Sequence, residues 1–435
     1  MKLNYKRTIL IGFAFMAISA FWQVYDNIIP LILKYSFHIG DTLSGGIMAL
    51  DNVFALVMLP IFGAWSDKVS TRYGKRTPFI FIGTVLAVVF MTMIPMAANM
   101  RSLGFFVIAL LLSLMAMGTF RSPAVSLMPD VTPKPLRSKG NAIINLMGAV
   151  GGVSALVMIM FLVGEGDTPS YQPLFAGISV LMIIALVVIL TQVKENKFVE
   201  ERIAIEKANG IDAEDEEDEE DDEATLSGTA ALPKDVKRSL TFLLLSVSFW
   251  FMAYNAVTTS FSKYATETWG MEGGGFAGAL MVATVAAIIS YMPVGIVSSK
   301  IGRKKVILFG VVLMASCFAI GALFKEANFT INIIFALVGV AWASINVNSY
   351  PMVVEMCKGS DIGKFTGMYY TFSMAAQVFT PILSGFFLEY VGYWTLFPYA
   401  AVFAAIAFFT MLQVKHGDSR PDAPKSGLEA FDVED

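Results

Sequence analysis

The sequence predicts an all-α integral membrane protein of twelve transmembrane helices in two pseudo-symmetric six-helix bundles, with both chain ends cytoplasmic. Three observations carry this. Apolar runs long enough to cross a bilayer, near 20 residues each, recur twelve times. The chain is 56% hydrophobic and only 15% charged, with mean hydropathy +0.65, so a soluble fold could not hide its apolar surface. Landmarks in the first half return about 228 residues later in the second.

The runs fall at 8–33, 42–66, 78–98, 102–128, 140–163 and 172–193, then at 238–263, 274–298, 304–323, 329–355, 362–388 and 393–413. The first follows Lys2, Lys6 and Arg7, as a signal peptide would, but it is too long for one and no small-residue cleavage site follows. With the N-terminus inside, the outer loops hold only Lys34, Arg101, Lys263 and Lys325, and 26 of the 31 basic residues lie inside. The opposite orientation would invert that ratio. A multi-pass protein of the cell membrane is expected, with lipid as its solvent and a monomer as its working unit.

The repeat is specific. Phe21-Trp22 and Asn27 return as Phe249-Trp250 and Asn255, Pro123 returns as Pro351, and Gly63 returns as Gly295. A duplicated six-helix unit explains four matches in order. The expected organisation is a bundle over 1–193, an acidic cytoplasmic linker over 194–237, a second bundle over 238–414 and a tail over 415–435. Within the linker, Asp212 and the ten consecutive acids Glu214 to Glu223 account for the formal charge of −4; without those eleven the chain has 24 acids against 31 bases. Such a run is a solvated segment. Cys317 and Cys357 lie in different segments and read as inert thiols rather than a disulfide or metal site. His38 and His416 fall outside the spans, so an intramembrane proton path must use carboxylates. No nucleotide loop, hydrolase triad or metal cluster is present in the pattern, so no enzyme activity, metal, cofactor or nucleic-acid partner is expected.

The loop after the second span carries Gly63, Asp67, Arg72, Gly74, Lys75 and Arg76; the loop after the eighth carries Gly295, Ser299, Gly302, Arg303 and Lys304. Glycine, an acid four residues on and a short Gly-Arg/Lys turn resemble the signature loop of the major facilitator superfamily. That resemblance covers the whole chain and implies its fold and transport by alternating access. It implies gating roles, not substrate contacts, for Gly63, Asp67, Arg72, Gly74, Lys75 and Arg76, with Asp130, Gly302, Arg303 and Glu355 at matching loop and helix ends. Ser299 stands where the second acid belongs, so the second latch should be weaker. More narrowly, Thr71 to Ile80, Arg121 to Asp130, Arg137 to Asn141 and Asp51-Asn52 resemble the glycoside–pentoside–hexuronide:cation symporters and the sucrose-type proton symporters. This implies uptake of a sugar or glycoside driven by a cation. Where the sodium-coupled branch has carboxylates this chain has Ala55, Leu59 and Arg121, which favours a proton over sodium.

An ionised group inside hydrocarbon costs several kcal/mol unless paired or wet. Asp26, Asp51 and Arg121 lie well inside spans. At 1.5 Å per residue Asp26 is roughly 10 Å from the outer end of its helix and Asp51 roughly 13 Å; Arg121 should lie about 12 Å deeper. Two carboxylates at one depth can share a proton, with Asp51 the first candidate for coupling and Asp26 the second. Sugar hydroxyls need amides, hydroxyls and flat apolar faces. Candidates on the helices that would line a cavity are Trp22, Gln23, Tyr25, Asn27, Asn52, Arg121, Trp250, Tyr254, Asn255, Asn346, Asn348, Tyr370 and Gln377.

The expected function is proton-coupled symport of a di- or oligosaccharide or glycoside. An exporter of drugs or metabolites on the same fold, and a non-transporting sensor signalling through the acidic run, are the alternatives.

Overall fold

The computed structural model describes residues 3–166, 169–209, 233–356 and 362–418. The acidic run 212–223, Cys357 and most of the tail lie outside them. Among the described residues, twelve helical spans are long and apolar enough to cross a bilayer, and no strand occurs.

The first bundle comprises α1 (Tyr5–Tyr35), α2 (Asp41–Met48) and α3 (Leu50–Lys68), which share the second span, α4 (Thr77–Asn99), α5 (Leu103–Val131), α6 (Arg137–Leu162) and α7 (Gln172–Gln192). A further helix, α8 (Glu195–Ala208), follows. The second bundle comprises α9 (Lys234–Trp269), α10 (Ala277–Ile301), α11 (Arg303–Gly321), α12 (Phe329–Val354), α13 (Ile362–Tyr390) and α14 (Leu396–Leu412). Six crossings per bundle bring both chain ends to one side, here the terminal face; the opposite side is the far face. Large apolar side chains such as Leu56, Val57 and Ile61 on α3 or Phe309 and Val312 on α11 are exposed at the periphery, where lipid replaces water as their solvent.

Two elements differ from the expectation. The start of the linker, 194–209, contains an ordered helix. α8 lies across the terminal face of the first bundle because its acids find donors there. Glu201 pairs with Arg7 at the start of α1, and Arg7 lies 3.9 Å over the Phe198 ring. Buried Glu206 accepts from the Lys134 amide at 2.9 Å. The second difference is at Lys263, expected in an outer loop. α9 runs six residues past it to Trp269, and Lys263 is buried. It is therefore a deep charge of the second bundle, which the sequence pattern had confined to the first. An ion pair makes this tolerable: Lys263 Nζ lies 2.7 Å from Asp41 Oδ1 at the start of α2.

That pair belongs to a lock between the bundles at the far face. Tyr393 donates its hydroxyl proton to Asp41 Oδ2 and accepts from Lys34. Lys34 lies 3.2 Å from Glu267, which also accepts from the Tyr35 hydroxyl at 2.6 Å. Glu389 accepts from the Thr42 amide at 2.8 Å. Backbone contact is equally close. A Cβ added to Gly45 would lie 2.0 Å from the Pro381 carbonyl oxygen, so α2 and α13 meet with no side chain between them. Removing one member of a buried pair costs about 3–5 kcal/mol. Lys263→Met should therefore release the lock. Spin labels at the exposed positions 43 and 390 should then show a longer-distance population, and an unchanged distance distribution would contradict this.

Candidate transport site

Between the bundles lies a cavity of about 910 Å³, within the range of small-molecule sites. It extends from Asp26 on α1 and Tyr254 on α9 to Pro129 and Arg137 at the terminal ends of α5 and α6. With the far face locked, the structure therefore faces its terminal side. A smaller chamber of about 300 Å³ continues from it and is lined by Asp26, Asp51 and Arg121 together. Arg121 and Asp51 line the same chamber although helix length places them at different depths. The charge of Arg121 acts on Asp51, and that of Asp51 acts on Asp26.

The aromatic and amide candidates divide into two sets. Trp22, Gln23, Tyr254 and Tyr370 line the large cavity. Asn52, Asn255, Asn346 and Gln377 line the chamber with Asp51. Asn27 borders a third space with Gln23 and Asn255, and its side-chain amide donates to the Gln23 carbonyl at 2.9 Å. Three candidates lie off these spaces. Tyr25 is buried and donates to the Met48 carbonyl at 3.0 Å. Asn348 is buried and donates back to the Ser344 carbonyl at 2.9 Å. Trp250 is wholly buried, although its repeat partner Trp22 faces the cavity. The residue that does share a role across the repeat is Tyr254, which stands 228 positions after Asp26 and borders the same three spaces.

Other residues of the site were not singled out. Trp342 on α12 stacks on Tyr254 with ring centroids 3.9 Å apart and planes 8° from parallel, and Phe251 braces it edge-on at 5.4 Å. The guanidinium of Arg121 lies 5.7 Å from the Trp22 ring centre. Arg137, Asn141 and Asn145 line the cavity from α6, followed by Gly148 and Gly152. Steps of three and four residues put this stripe on one helix face, and that spacing was available in the sequence. Two donors beside the cavity, Trp22 Nε1 and Asn255 Nδ2, have no protein partner among the described residues.

The signature loop closes the terminal end of the first bundle. Arg76 is buried at the start of α4. Its Nε donates to Asp130 at 2.8 Å, while its other nitrogens reach Asp67, Ser66 and the Gly63 carbonyl. Lys75 lies 3.5 Å from Asp130 and 3.8 Å from Asp67. The ends of α3, α4 and α5 are thus tied by one guanidinium. Arg72 stays outside this knot, stacked on Tyr73. Beneath it lies Glu195 of α8, 1% exposed, whose carboxylate accepts from the amides of Lys75, Arg76 and Thr77 at 2.7, 2.9 and 2.9 Å. Gly74 has φ +120°, and a Cβ there would lie 2.0 Å from Glu195 Oε2, so only glycine admits the carboxylate. In the second bundle Gly302 has φ +94° and Asp418 accepts from the Lys304 amide at 2.9 Å. Arg303 pairs with Glu355 at 2.7 Å, while Ser299 donates only locally, to the Ile296 carbonyl.

Comparison with known proteins agrees with this fold. The family model of the Major Facilitator Superfamily matches residues 11–290 and 274–432. Sucrose transport protein SUC3 of Arabidopsis thaliana is 28% identical over 120 residues, covering 23% of this chain and 20% of that protein. Sucrose transport protein SUT4 of Oryza sativa subsp. indica matches over the same extent and identity. The chain thus spans about a fifth of the length of these curated relatives. Among solved structures, the inward open xylose transporter XylE from E. coli superposes with TM-score 0.68 at 14% identity, covering 97% of this chain and 98% of that one. A bacterial homologue of the human drug peptide transporters PepT1 and PepT2 superposes with TM-score 0.69 at 14% identity, covering 95% and 98%. At such identity these two similarities concern the fold alone.

Proposed function

Because the chain belongs to the Major Facilitator Superfamily and is a secondary transporter of that fold, we propose that it couples entry of a sugar or glycoside to a proton by alternating access. The observation that carries this reading is the chamber between the bundles, where Asp26, Asp51 and Arg121 meet a wall of amides and aromatic rings. A proton can be held between two carboxylates that share one wet space, and Arg121 offers a fixed charge to balance the loaded and unloaded forms. A sugar offers hydroxyls to Asn52, Asn255, Asn346 and Gln377 and an apolar ring face to Tyr254, Trp342 or Trp22. The short similarity to two sucrose transport proteins supports the same substrate class. In this reading the terminal face is cytoplasmic and the structure stands at the release step.

The test is a panel of disaccharides, oligosaccharides and glycosides offered to proteoliposomes, with internal pH recorded. One class of sugar should drive acidification of the lumen when added with its gradient inward. Absence of proton movement across the whole panel would defeat the reading. The stacked pair gives a second check. Trp342→Ala should raise the KM for the active sugar roughly fivefold or more, at about 1 kcal/mol or more for a lost aromatic platform, while leaving one proton moved per sugar. An unchanged KM would remove Trp342 from the site.

A further inference from the structure

The second span is broken where the coupling carboxylate sits. α2 ends at Met48 and α3 begins at Leu50. In an uninterrupted helix the Asn52 amide would donate to the Met48 carbonyl. Here it donates to Asp51 Oδ1 at 2.6 Å, and the Asn52 side-chain amide donates to the same oxygen at 2.8 Å. The Tyr25 hydroxyl takes the Met48 carbonyl instead, at 3.0 Å. It lies 3.5 Å from the Ile47 carbonyl as well. The ladder resumes one residue on, with the Val53 amide 3.3 Å from the Ala49 carbonyl. At the break the Asn52 amide has thus exchanged the Met48 carbonyl for the Asp51 carboxyl, and that carbonyl has taken a phenolic donor.

The half-helix beyond the break is the piece that seals the far face. α2 carries Asp41 of the interbundle lock and seats Gly45 on the Pro381 carbonyl. A Cβ on Gly385 would in turn lie 2.3 Å from the Asp41 carbonyl oxygen. α2 is therefore fastened to α13 of the opposite bundle, and its angle to α3 decides whether it can stay there.

We propose that protonation of Asp51 returns the Asn52 amide to Met48, makes the second span continuous and lifts α2 off α13, so that loading the coupling proton opens the far face. This rests on Asp51 as the coupling carboxylate. A carboxylate accepts an amide bond about twice as strongly as a neutral oxygen does, so the proton removes the stronger competitor for that N–H. Tyr25 is the positioning residue, acting through its hydrogen bond to the Met48 carbonyl. The groups facing Asp51 are Asp26 and Tyr25 on α1, Arg121 on α5, Tyr254 on α9, and Tyr369 and Tyr370 on α13. Linkage then requires the far-open state to bind the proton more tightly than the terminal-open state. That is the direction needed to load from the far side and release at the terminal side.

The experiment places a cysteine at Ser44, which is fully buried in α2, with Cys317→Ser and Cys357→Ser in the same chain. A membrane-impermeant maleimide is applied from the far side without sugar. Each labelling rate is divided by that of the denatured chain at the same pH. Acidification should raise the normalised rate about five- to tenfold, the equilibrium change from one net hydrogen bond. Asp51→Leu should label fast at every pH, and Tyr25→Phe should label faster than the parent at neutral pH. A pH response that survives Asp51→Leu, or a parental rate in Tyr25→Phe, would overturn the hinge. Tyr25→Phe leaves every charge in place, so it carries the test if Asp51→Leu fails to fold. The hinge is read from labelling and the coupling from proton flux, so the two fail separately. Loss of flux in Asp51→Leu with an intact labelling response refutes the hinge alone.

Discussion

Asp51→Asn should abolish accumulation of sugar against its gradient while sparing sugar exchange across the membrane. Asn keeps the shape of the side chain but cannot bind and release a proton. The bundles can still rock with sugar aboard, since the amide and aromatic walls of the cavity are untouched. One pH unit is worth 1.36 kcal/mol per proton, or about a tenfold accumulation ratio for one proton per sugar. The variant should fall from that ratio to about one, with counterflow within a fewfold of the parent. Loss of both activities together would assign Asp51 to sugar binding or folding instead.

Glu195→Ala should be among the most destabilising single changes in the chain. The carboxylate is buried and accepts from three successive amides and from the Thr77 hydroxyl at 2.7 Å. Each buried donor left without an acceptor costs about 1–3 kcal/mol. Allowing for water entering the gap, the loss should be about 3–5 kcal/mol, read as a fall in melting temperature of about 5–10 °C in detergent. Glu195→Gln keeps one acceptor oxygen and should lose less. Transport should fall with stability, because the amide of Arg76 is one of the three and its guanidinium ties α3, α4 and α5. A melting temperature unchanged in Glu195→Ala would show that α8 does not brace the first bundle.

The fold was legible in the sequence because lipid imposes a simple rule. Every span must be helical and about 20 residues long, so hydropathy alone delimits it, and the Gly63 to Arg76 loop marks its connection. The wall residues were partly legible for a related reason. Polar side chains are costly in lipid, so Trp22, Gln23, Tyr254, Asn255 and Gln377 stood out on apolar helices. Pairings across the bundles were not legible. Asp41 and Lys263 are 222 positions apart, and each looked like an ordinary loop charge. Glu195 lay in a stretch whose neighbouring acid run suggested a solvated linker, and its burial depends on Gly74, 121 positions earlier in the chain. Tyr25 is taken up by the Met48 carbonyl at the break beside Ala49, a local event that hydropathy averages away. The α6 stripe from Arg137 to Gly152 was readable, but its charged end looked like loop and its glycines like packing.

In the proposed cycle a proton gradient drives the sugar through Asp51. The most direct measurement is sugar accumulation in proteoliposomes under an imposed pH gradient, acidic on the side corresponding to the far face. The native protein should accumulate the sugar severalfold and release it when a protonophore collapses the gradient, while Asp51→Asn should only equilibrate it. Accumulation that persists through the protonophore, or that Asp51→Asn retains in full, would contradict the account.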